Sequence, residues 1–315
     1  MTSAGNEWAG VHIDGHNIPN ERNQALNDPS AYKEYTEEET IGGLTQQTFT
    51  SLSNFIYERT GIFYPEKKKY LLESRLGKRV QILGLGTFES YDRYLRFGSH
   101  QGAEFTFLYE AITTNETCFF RNMPQLEAFE KHVVPSFLRS DGPSVLRIWS
   151  AGSSSGEEAY SYALLYLERL LPANPKLRIE IVGTDISESV LKTARAGEYR
   201  RYSVRNLPQK YLDKYFVVDG ERYLLREEVK QLAKFQRLNL IDQQQVRSMK
   251  NFHVILCCNV LIYFDQKAKI QVVADLYKSL SYGGFLFVGF SELLHGISSA
   301  FKLISLPQTT GYRKE

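Results

Sequence analysis

Ile148-Trp149-Ser150-Ala151-Gly152-Ser153-Ser154-Ser155-Gly156-Glu157-Glu158 is the stretch on which the fold turns. A short apolar strand, residues 145–149, runs into a loop of small residues and then a helix over 157–171. Glycine and serine let the backbone approach a bound group closely, and the helix start offers N–H groups with no intrahelical partner. Neither GxGxxG nor GxxxxGK[ST] is present, so a pyrophosphate cradle is not indicated. Glu157 and Glu158 open the helix instead. Beside a phosphate they would repel it; beside an ammonium or sulfonium they would attract it. Outward from this loop, strands and helices alternate. A strand over 179–182 ends at Thr184-Asp185, and 187–196 is a helix with Ser187 as N-cap. Residues 252–257 are a buried strand, 267–280 a helix ending at Tyr282-Gly283-Gly284, and 285–288 the next strand. This βα alternation predicts a doubly wound sheet. Within it, 215–218 and 223–225 flank Asp219-Gly220 as an inserted β-hairpin.

Asp185 lies 33 residues beyond Gly152, at the end of the second strand. A carboxylate there can accept hydrogen bonds from both ribose hydroxyls. A nucleoside that carries positive charge and lacks phosphates is S-adenosylmethionine. The alternative is that Asp185 only caps the following helix and the serines form an ordinary loop.

Before the strands the pattern is helical, from Leu44 to about Met123. Phe49, Leu52, Phe55 and Ile56 share one face, and Leu72, Leu76, Val80 and Leu83 form a second stripe. Residues 91–95 and 105–112 suggest two more helices, giving a small all-α domain over 42–123. Domain 124–315 follows, with the β-insertion at about 205–235. Residues 1–41 hold eight acidic residues against Arg22 and Lys33, a net −6 that leaves the rest at +8 within an overall +2. This segment reads as an acidic, mostly disordered extension, with Trp8 and Tyr32 able to dock.

Composition narrows the function classes. The 315 residues suit about two domains. A hydrophobic content of 43% supports a core and excludes a fibrous or wholly disordered chain. A net +2 argues against a dedicated nucleic-acid binder. The longest apolar run, 252–264, is broken by His253 and Asn259 and falls short of the ~18 residues a membrane span needs. The N-terminus has no secretory pattern. Cys118, Cys257 and Cys258 form neither a disulfide framework nor a CxxC pair, and the six histidines show no metal spacing. A cytoplasmic protein without direct membrane insertion, nucleic-acid partner or metal is expected. Cys257, inside a strand, reads as a small buried hydrophobe rather than a nucleophile.

Several stretches, in order over about residues 44–305, resemble the chemotaxis receptor methyltransferase (CheR) family. They are Thr113-Thr114-Asn115-Glu116-Thr117-Cys118-Phe119-Phe120-Arg121, the loop quoted above, Gly183-Thr184-Asp185-Ile186-Ser187, and Ala196-Gly197-Glu198-Tyr199. Asn239-Leu240, Cys258-Asn259-Val260-Leu261-Ile262-Tyr263-Phe264-Asp265, and Gly289-Phe290-Ser291-Glu292 complete the set. The resemblance implies an α/β, class I S-adenosylmethionine-dependent methyltransferase fold. This is a Rossmann-like doubly wound sheet with a small antiparallel β-subdomain, preceded by an all-α receptor-recognition domain. It implies methylation of glutamate side chains on the cytoplasmic helical bundle of chemoreceptors, giving glutamyl methyl esters and S-adenosylhomocysteine. It also implies recruitment to membrane-associated receptor arrays.

By the family's pattern, Asn115, Thr117 and Arg121 sit beside the cofactor, with Gly152 in its loop. Glu158 takes the methionine ammonium and Asp185 the ribose. Asn239, Leu240, Cys258 and Asn259 flank the adenosine end, and Tyr263 faces the reacting methyl. The family usually has Arg where Cys258 stands, so a contact there falls to the backbone. Ala159 stands where Pro is common. The turn at 218–222 lacks the longer Gly-x-Gly loop of members that hold a receptor's C-terminal pentapeptide, which implies no such tether.

The chemistry suits these residues. A glutamate, with a pKa of about 4.3, is already ionised and needs no general base. Alignment and exclusion of water are what the site must supply. Arg121 is the candidate to position the carboxylate and Tyr263 to shape the methyl pocket; otherwise they are a surface ion-pair partner and a buried structural tyrosine. Residues 66–79 carry six basic and two acidic side chains. Lys68, Arg75 and Arg79 fall within about 40° on a helix, a basic face for acidic receptor helices or simply a solvated one. Three other functions stay open: a cofactor-binding scaffold with lost catalysis, a carboxyl methyltransferase outside chemotaxis, and a nicotinamide oxidoreductase, which the missing GxGxxG disfavours.

Overall fold

The computed structural model describes residues 42–99, 101–139 and 145–315. The acidic segment 1–41, including Trp8 and Tyr32, lies outside the described residues.

Four helices come first: α1 (Gln46–Thr60), α2 (Lys69–Ile82), α3 (Phe88–Phe97) and α4 (Gln101–Ile112). Thr45 starts α1 by accepting from the Thr48 N–H, and Thr87 starts α3 by accepting from Ser90. Phe49, Leu52, Phe55 and Ile56 are buried along α1, and Leu72, Leu76 and Val80 along α2, as their spacing predicts. Burying each of these side chains contributes about 1.5–3 kcal/mol. Gly61 ends α1 with φ 70°, where a Cβ would lie 2.6 Å from Ile241 Cγ2. The chain therefore turns there only without a side chain.

The rest is a seven-stranded sheet in the order β6-β2-β1-β7-β8-β10-β9. Its strands are β1 (Val145–Ala151), β2 (Arg178–Asp185), β6 (Ala233–Arg237), β7 (Phe252–Cys257), β8 (Leu280–Val288), β9 (Phe301–Leu306) and β10 (Thr309–Lys314). The first five are parallel, and β10 returns antiparallel between β8 and β9. Helices α5 (Met123–Ala128) and α6 (Val134–Arg139) precede β1. Helices α7 (Glu157–Leu165) and α8 (Leu171–Ala173) follow it, joined by a π-helical turn. Helix α9 (Glu188–Ala196) follows β2. The N-cap of α9 is Ser187, yet its hydroxyl meets Ser189 Oγ rather than a helix N–H. The chain leaves β1 for β2 and β6, then crosses back to β7. The switch point, where open α/β sheets hold their ligands, thus lies between the ends of β1 and β7.

Between α9 and β6 sits a three-stranded antiparallel sheet, β3 (Glu198–Arg200), β5 (Arg222–Leu225) and β4 (Phe216–Asp219). Its hairpin falls where the sequence placed it. The third strand begins seven residues before 205; three residues are too few to show an alternation. Short helices α10 (Arg201–Val204) and α11 (Gln209–Tyr215) pack on this sheet, α12 (Glu227–Lys230) precedes and α13 (Gln243–Val246) follows β6, and α14 (Gln266–Ser279) precedes β8. Strand β8 already starts at Leu280, so Tyr282-Gly283-Gly284 lies within it. An irregularity in the β7–β8 register absorbs that stretch.

The helical region packs directly on this sheet domain. Ile62 bridges Phe264, Phe63 N–H donates to the Tyr263 carbonyl at 2.9 Å, and Tyr57 donates to Asp265. Among the described residues, no helix is long and apolar enough to cross a membrane.

Candidate functional site

The β1 loop is built by its neighbours. Gly152 and Ser153 each donate a backbone N–H to the Thr184 carbonyl at 2.8 Å, and Trp149 Nε1 donates to Thr184 Oγ1. The loop is thereby stitched across to the end of β2. Gly152 adopts φ 82°, and a Cβ there would lie 2.4 Å from Val260 Cγ2. Asp185 receives the Ser154 N–H on one oxygen at 2.9 Å and the Ser187 N–H on the other at 3.0 Å. It therefore does serve the head of α9, as the capping reading requires, while also holding the serine loop. Its carboxylate still borders the cavity. Burial pushes its pKa up, against the pull of the Ser187, Ser154 and Ile186 amides.

A cavity of 650 Å³ opens at this switch point. It is lined by all eleven residues that the sequence assigned to cofactor or catalysis: Asn115, Thr117, Arg121, Gly152, Glu158, Asp185, Asn239, Leu240, Cys258, Asn259 and Tyr263. They come from the α4–α5 connection, the loop after β1, the first turn of α7, the end of β2, and the loops after β6 and β7. The connection is held down by Phe119 N–H to Ser203 O, Phe120 N–H to Ser161 Oγ, and Ser154 Oγ to Asn115 O. Arg121 reaches back to the Glu116 carbonyl at 2.7 Å and remains exposed. Asn239 spends its side-chain amide on the Arg59 carbonyl at 2.6 Å, tying the β6 loop to α1.

Glu158 accepts from Ser150 Oγ at 2.7 Å. Burial raises its pKa, while Ser150, Cys258 and Arg121 act in the opposite direction. The raised value means that its charge is under-compensated in the free protein, so a cationic ligand group is favoured there. Cys258 Sγ donates to Gln125 Oε1 at 3.3 Å, and Gln125 Nε2 donates to the Val288 carbonyl at 2.6 Å. Burial, then the Glu158 charge, pushes the Cys258 thiol well up, so it stays protonated and inert as a nucleophile. Cys257 is buried, as its strand position predicts, and its thiol is pushed up by burial too.

Residues 115–310 match the family model described as "CheR methyltransferase, SAM binding domain", and residues 47–113 the one described as "CheR methyltransferase, all-alpha domain". The chain belongs to the CheR methyltransferase family. It is similar to chemotaxis protein methyltransferase 2 of Vibrio cholerae, 37% identical over 273 residues, covering 86% of this chain and 94% of that one. Chemotaxis protein methyltransferase 1 of Pseudomonas aeruginosa is 32% identical over 263 residues, with coverage of 82% and 94%. The chemotaxis protein methyltransferase of Borreliella burgdorferi is 34% identical over 258 residues, with coverage of 80% and 90%. The fold is thus the expected class I methyltransferase sheet behind an all-α domain.

The CheR cofactor is S-adenosylmethionine, and the donor set fits it. An under-compensated, half-buried carboxylate, Glu158, suits an ammonium. Asp185 offers acceptor positions for hydroxyls, and the buried Ser153 Oγ beside the cavity has no partner of its own. No phosphate-binding cation cluster is built into the β1 loop.

The basic face of α2 is where the structure departs most from the sequence reading. Arg79 forms a bidentate pair with Glu104, whose side chain is 2% exposed, and Tyr91 donates to the same carboxylate. Its charge is spent inside the domain, bonding α2 to α4 and α3. Arg75 donates to the Ile112 carbonyl, Tyr64 and Thr114. It thereby holds the start of the 113–121 connection that carries Asn115, Thr117 and Arg121. Lys68 lies exposed in the 3-10 turn before α2, near Lys67, and Lys78 is exposed further along. A shared face on a helical wheel does not distinguish a cation with a buried partner from a free one.

Two residues without an assigned role also shape the site. Gln125 bridges Cys258 to β8. Glu292 holds the loop after β7; its stretch stood in the sequence resemblance, with no signal of what the carboxylate does.

Proposed function

We propose that this CheR-family protein methylates glutamate side chains on the cytoplasmic helical bundle of chemoreceptors. The products are glutamyl methyl esters and S-adenosylhomocysteine. The observation that carries the reading is one cavity joining a carboxylate-rich cofactor side, Glu158 and Asp185, to an acceptor side bearing Arg121 and Tyr263. The relatives' names supply the chemotaxis context.

When bound, S-adenosylmethionine supplies an electrophilic methyl group on a sulfonium. Glu158 holds the ammonium, Asp185 the ribose, and the loops carrying Asn239, Leu240, Cys258 and Asn259 the adenosine end. Arg121, fixed at one nitrogen by the Glu116 carbonyl, retains other N–H donors to orient an incoming carboxylate. A carboxylate is ionised at neutral pH, so no side chain has to remove a proton. A hold on one carboxylate oxygen leaves the other free to attack; clamping both would stabilise the ground state and slow transfer. Tyr263 walls the reacting end and excludes water.

Recognition falls to the all-α domain through cations that remain available, Lys67, Lys68 and Lys78. Arg75 acts as a support for the catalytic connection. The turn between β4 and β5 is only Gly220-Glu221, which supports a receptor interaction without a pentapeptide tether.

The test is incubation with receptor-containing membranes and methyl-labelled cofactor, followed by base treatment. Label released as methanol from the receptor band, at equal rates with and without a receptor C-terminal pentapeptide, is the expected result. Cofactor binding without base-labile label on any receptor would overturn this reading, leaving a non-catalytic scaffold or a carboxyl methyltransferase outside chemotaxis.

A further inference from the structure

Glu292 is 5% exposed, and its three hydrogen-bond donors are all backbone amides. One oxygen accepts from Asn259 N and Gly289 N, each at 2.7 Å, and the other from Ile262 N at 3.0 Å. These donors belong to two segments that leave the sheet side by side. Strand β7 ends at Cys257, paired with Val288 at the end of β8. The first segment turns through Asn259, at φ 61°, into the 3-10 turn Leu261–Tyr263. The second turns at once through Gly289, where a Cβ would lie 2.6 Å from the Glu292 carboxylate and 2.9 Å from Asn259 Nδ2. Phe290, in that same turn, is 94% exposed and lines the cavity with Asn259 and Tyr263.

We propose that Glu292 is a positioning residue that locks the 258–263 and 289–292 loops into a single wall of the cavity. It fixes the Tyr263 turn and presents Phe290 on the acceptor side. The chemistry requires a carboxylate. Glu292 meets three N–H donors with both oxygens, and an ionised carboxylate is acceptor-only. Gln has one acceptor oxygen. Turned to serve Asn259 and Gly289, it points its own NH2 at the Ile262 N–H, donor against donor. The proposal rests on the methyl-transfer reading for its effect on rate, though the clamp itself does not.

The experiment compares full-length wild type with Glu292→Gln. Site-resolved hydrogen exchange is expected to accelerate at Ile262 about tenfold or more, with β1 and α7 unchanged. S-adenosylhomocysteine affinity should stay within about threefold, while kcat on receptor membranes falls about tenfold. Gly289→Ala presses on the same clamp with Glu292 intact; because its Cβ also meets Asn259, it should accelerate exchange at Ile262 and lower kcat together with cofactor affinity. Unchanged exchange at Ile262, or an unchanged kcat in both variants, overturns the proposal. So does a loss of protection spread evenly through the domain in both variants, which is what a merely structural role would give. A wild type that binds cofactor but methylates no receptor refutes the methyl-transfer reading instead, and exchange at Ile262 still decides the clamp.

Discussion

Replacing Glu158 by Gln keeps the side chain's shape and its acceptor toward Ser150 but removes the charge. In the free protein that charge is poorly compensated, since burial outweighs the help from Ser150, Cys258 and Arg121. Glu158 keeps partial exposure only because it borders the cavity. Loss of the charge therefore has two consequences of opposite sign. A buried ionic hydrogen bond to an ammonium is worth about 2–3 kcal/mol, so affinity for S-adenosylhomocysteine should fall about 30–150-fold. The free protein should be no less stable, because an under-compensated carboxylate has gone. Calorimetric titration of both proteins with S-adenosylhomocysteine and with 5′-methylthioadenosine separates the contributions. The second ligand lacks the ammonium and should bind both proteins alike. A loss under about threefold for S-adenosylhomocysteine, or an equal loss for both ligands, would refute the reasoning.

The same carboxylate gives a pH signature. The folded pKa of Glu158 is raised, so the native state holds a proton that the unfolded chain has released between the usual 4.5 and the raised value. Its contribution to unfolding free energy therefore grows as pH falls through that window, while cofactor affinity falls. The difference between wild type and Glu158→Gln in Tm and in Kd, measured from about pH 8 to about pH 5, should show these opposite slopes; parallel slopes would contradict them. Arg79→Ala leaves Glu104 buried without its cation and should cost about 3–5 kcal/mol in urea unfolding; a loss under about 1 kcal/mol would place the pair among surface bridges. Gly152→Ala forces a side chain into a φ 82° turn and onto Val260, and should cost about 1–3 kcal/mol. Adding Val260→Ala should recover part of that loss in thermal unfolding, and no recovery would mean backbone strain alone.

What was legible depended on how local its physics is. A strand, a small-residue loop and a helix opened by two acids lie within eleven residues, so the cofactor side could be read directly. Strand β6 was missed because Lys234, Gln236 and Arg237 break its apolar pattern. Strands β9 and β10 were missed as well, although Phe301–Leu306 and Thr309–Lys314 pair along their whole length. That pairing is a hydrogen-bond fact, and it leaves little trace in hydropathy.

By itself the sequence determined the β1–loop–α7 core of the fold, the family, and the eleven residues that line one cavity. Periodicity, turn chemistry and motif order are properties of neighbours along the chain. Only the tertiary structure decided which charges are free. Arg79 and Glu104 stand 25 residues apart, yet they neutralise each other inside the helical domain. Arg75 turned from a surface cation into a brace for the catalytic connection. Glu292 gathers amides from a loop some 30 residues away. Each of these depends on where the backbone brings a partner, and low local dielectric then makes that partner dominate.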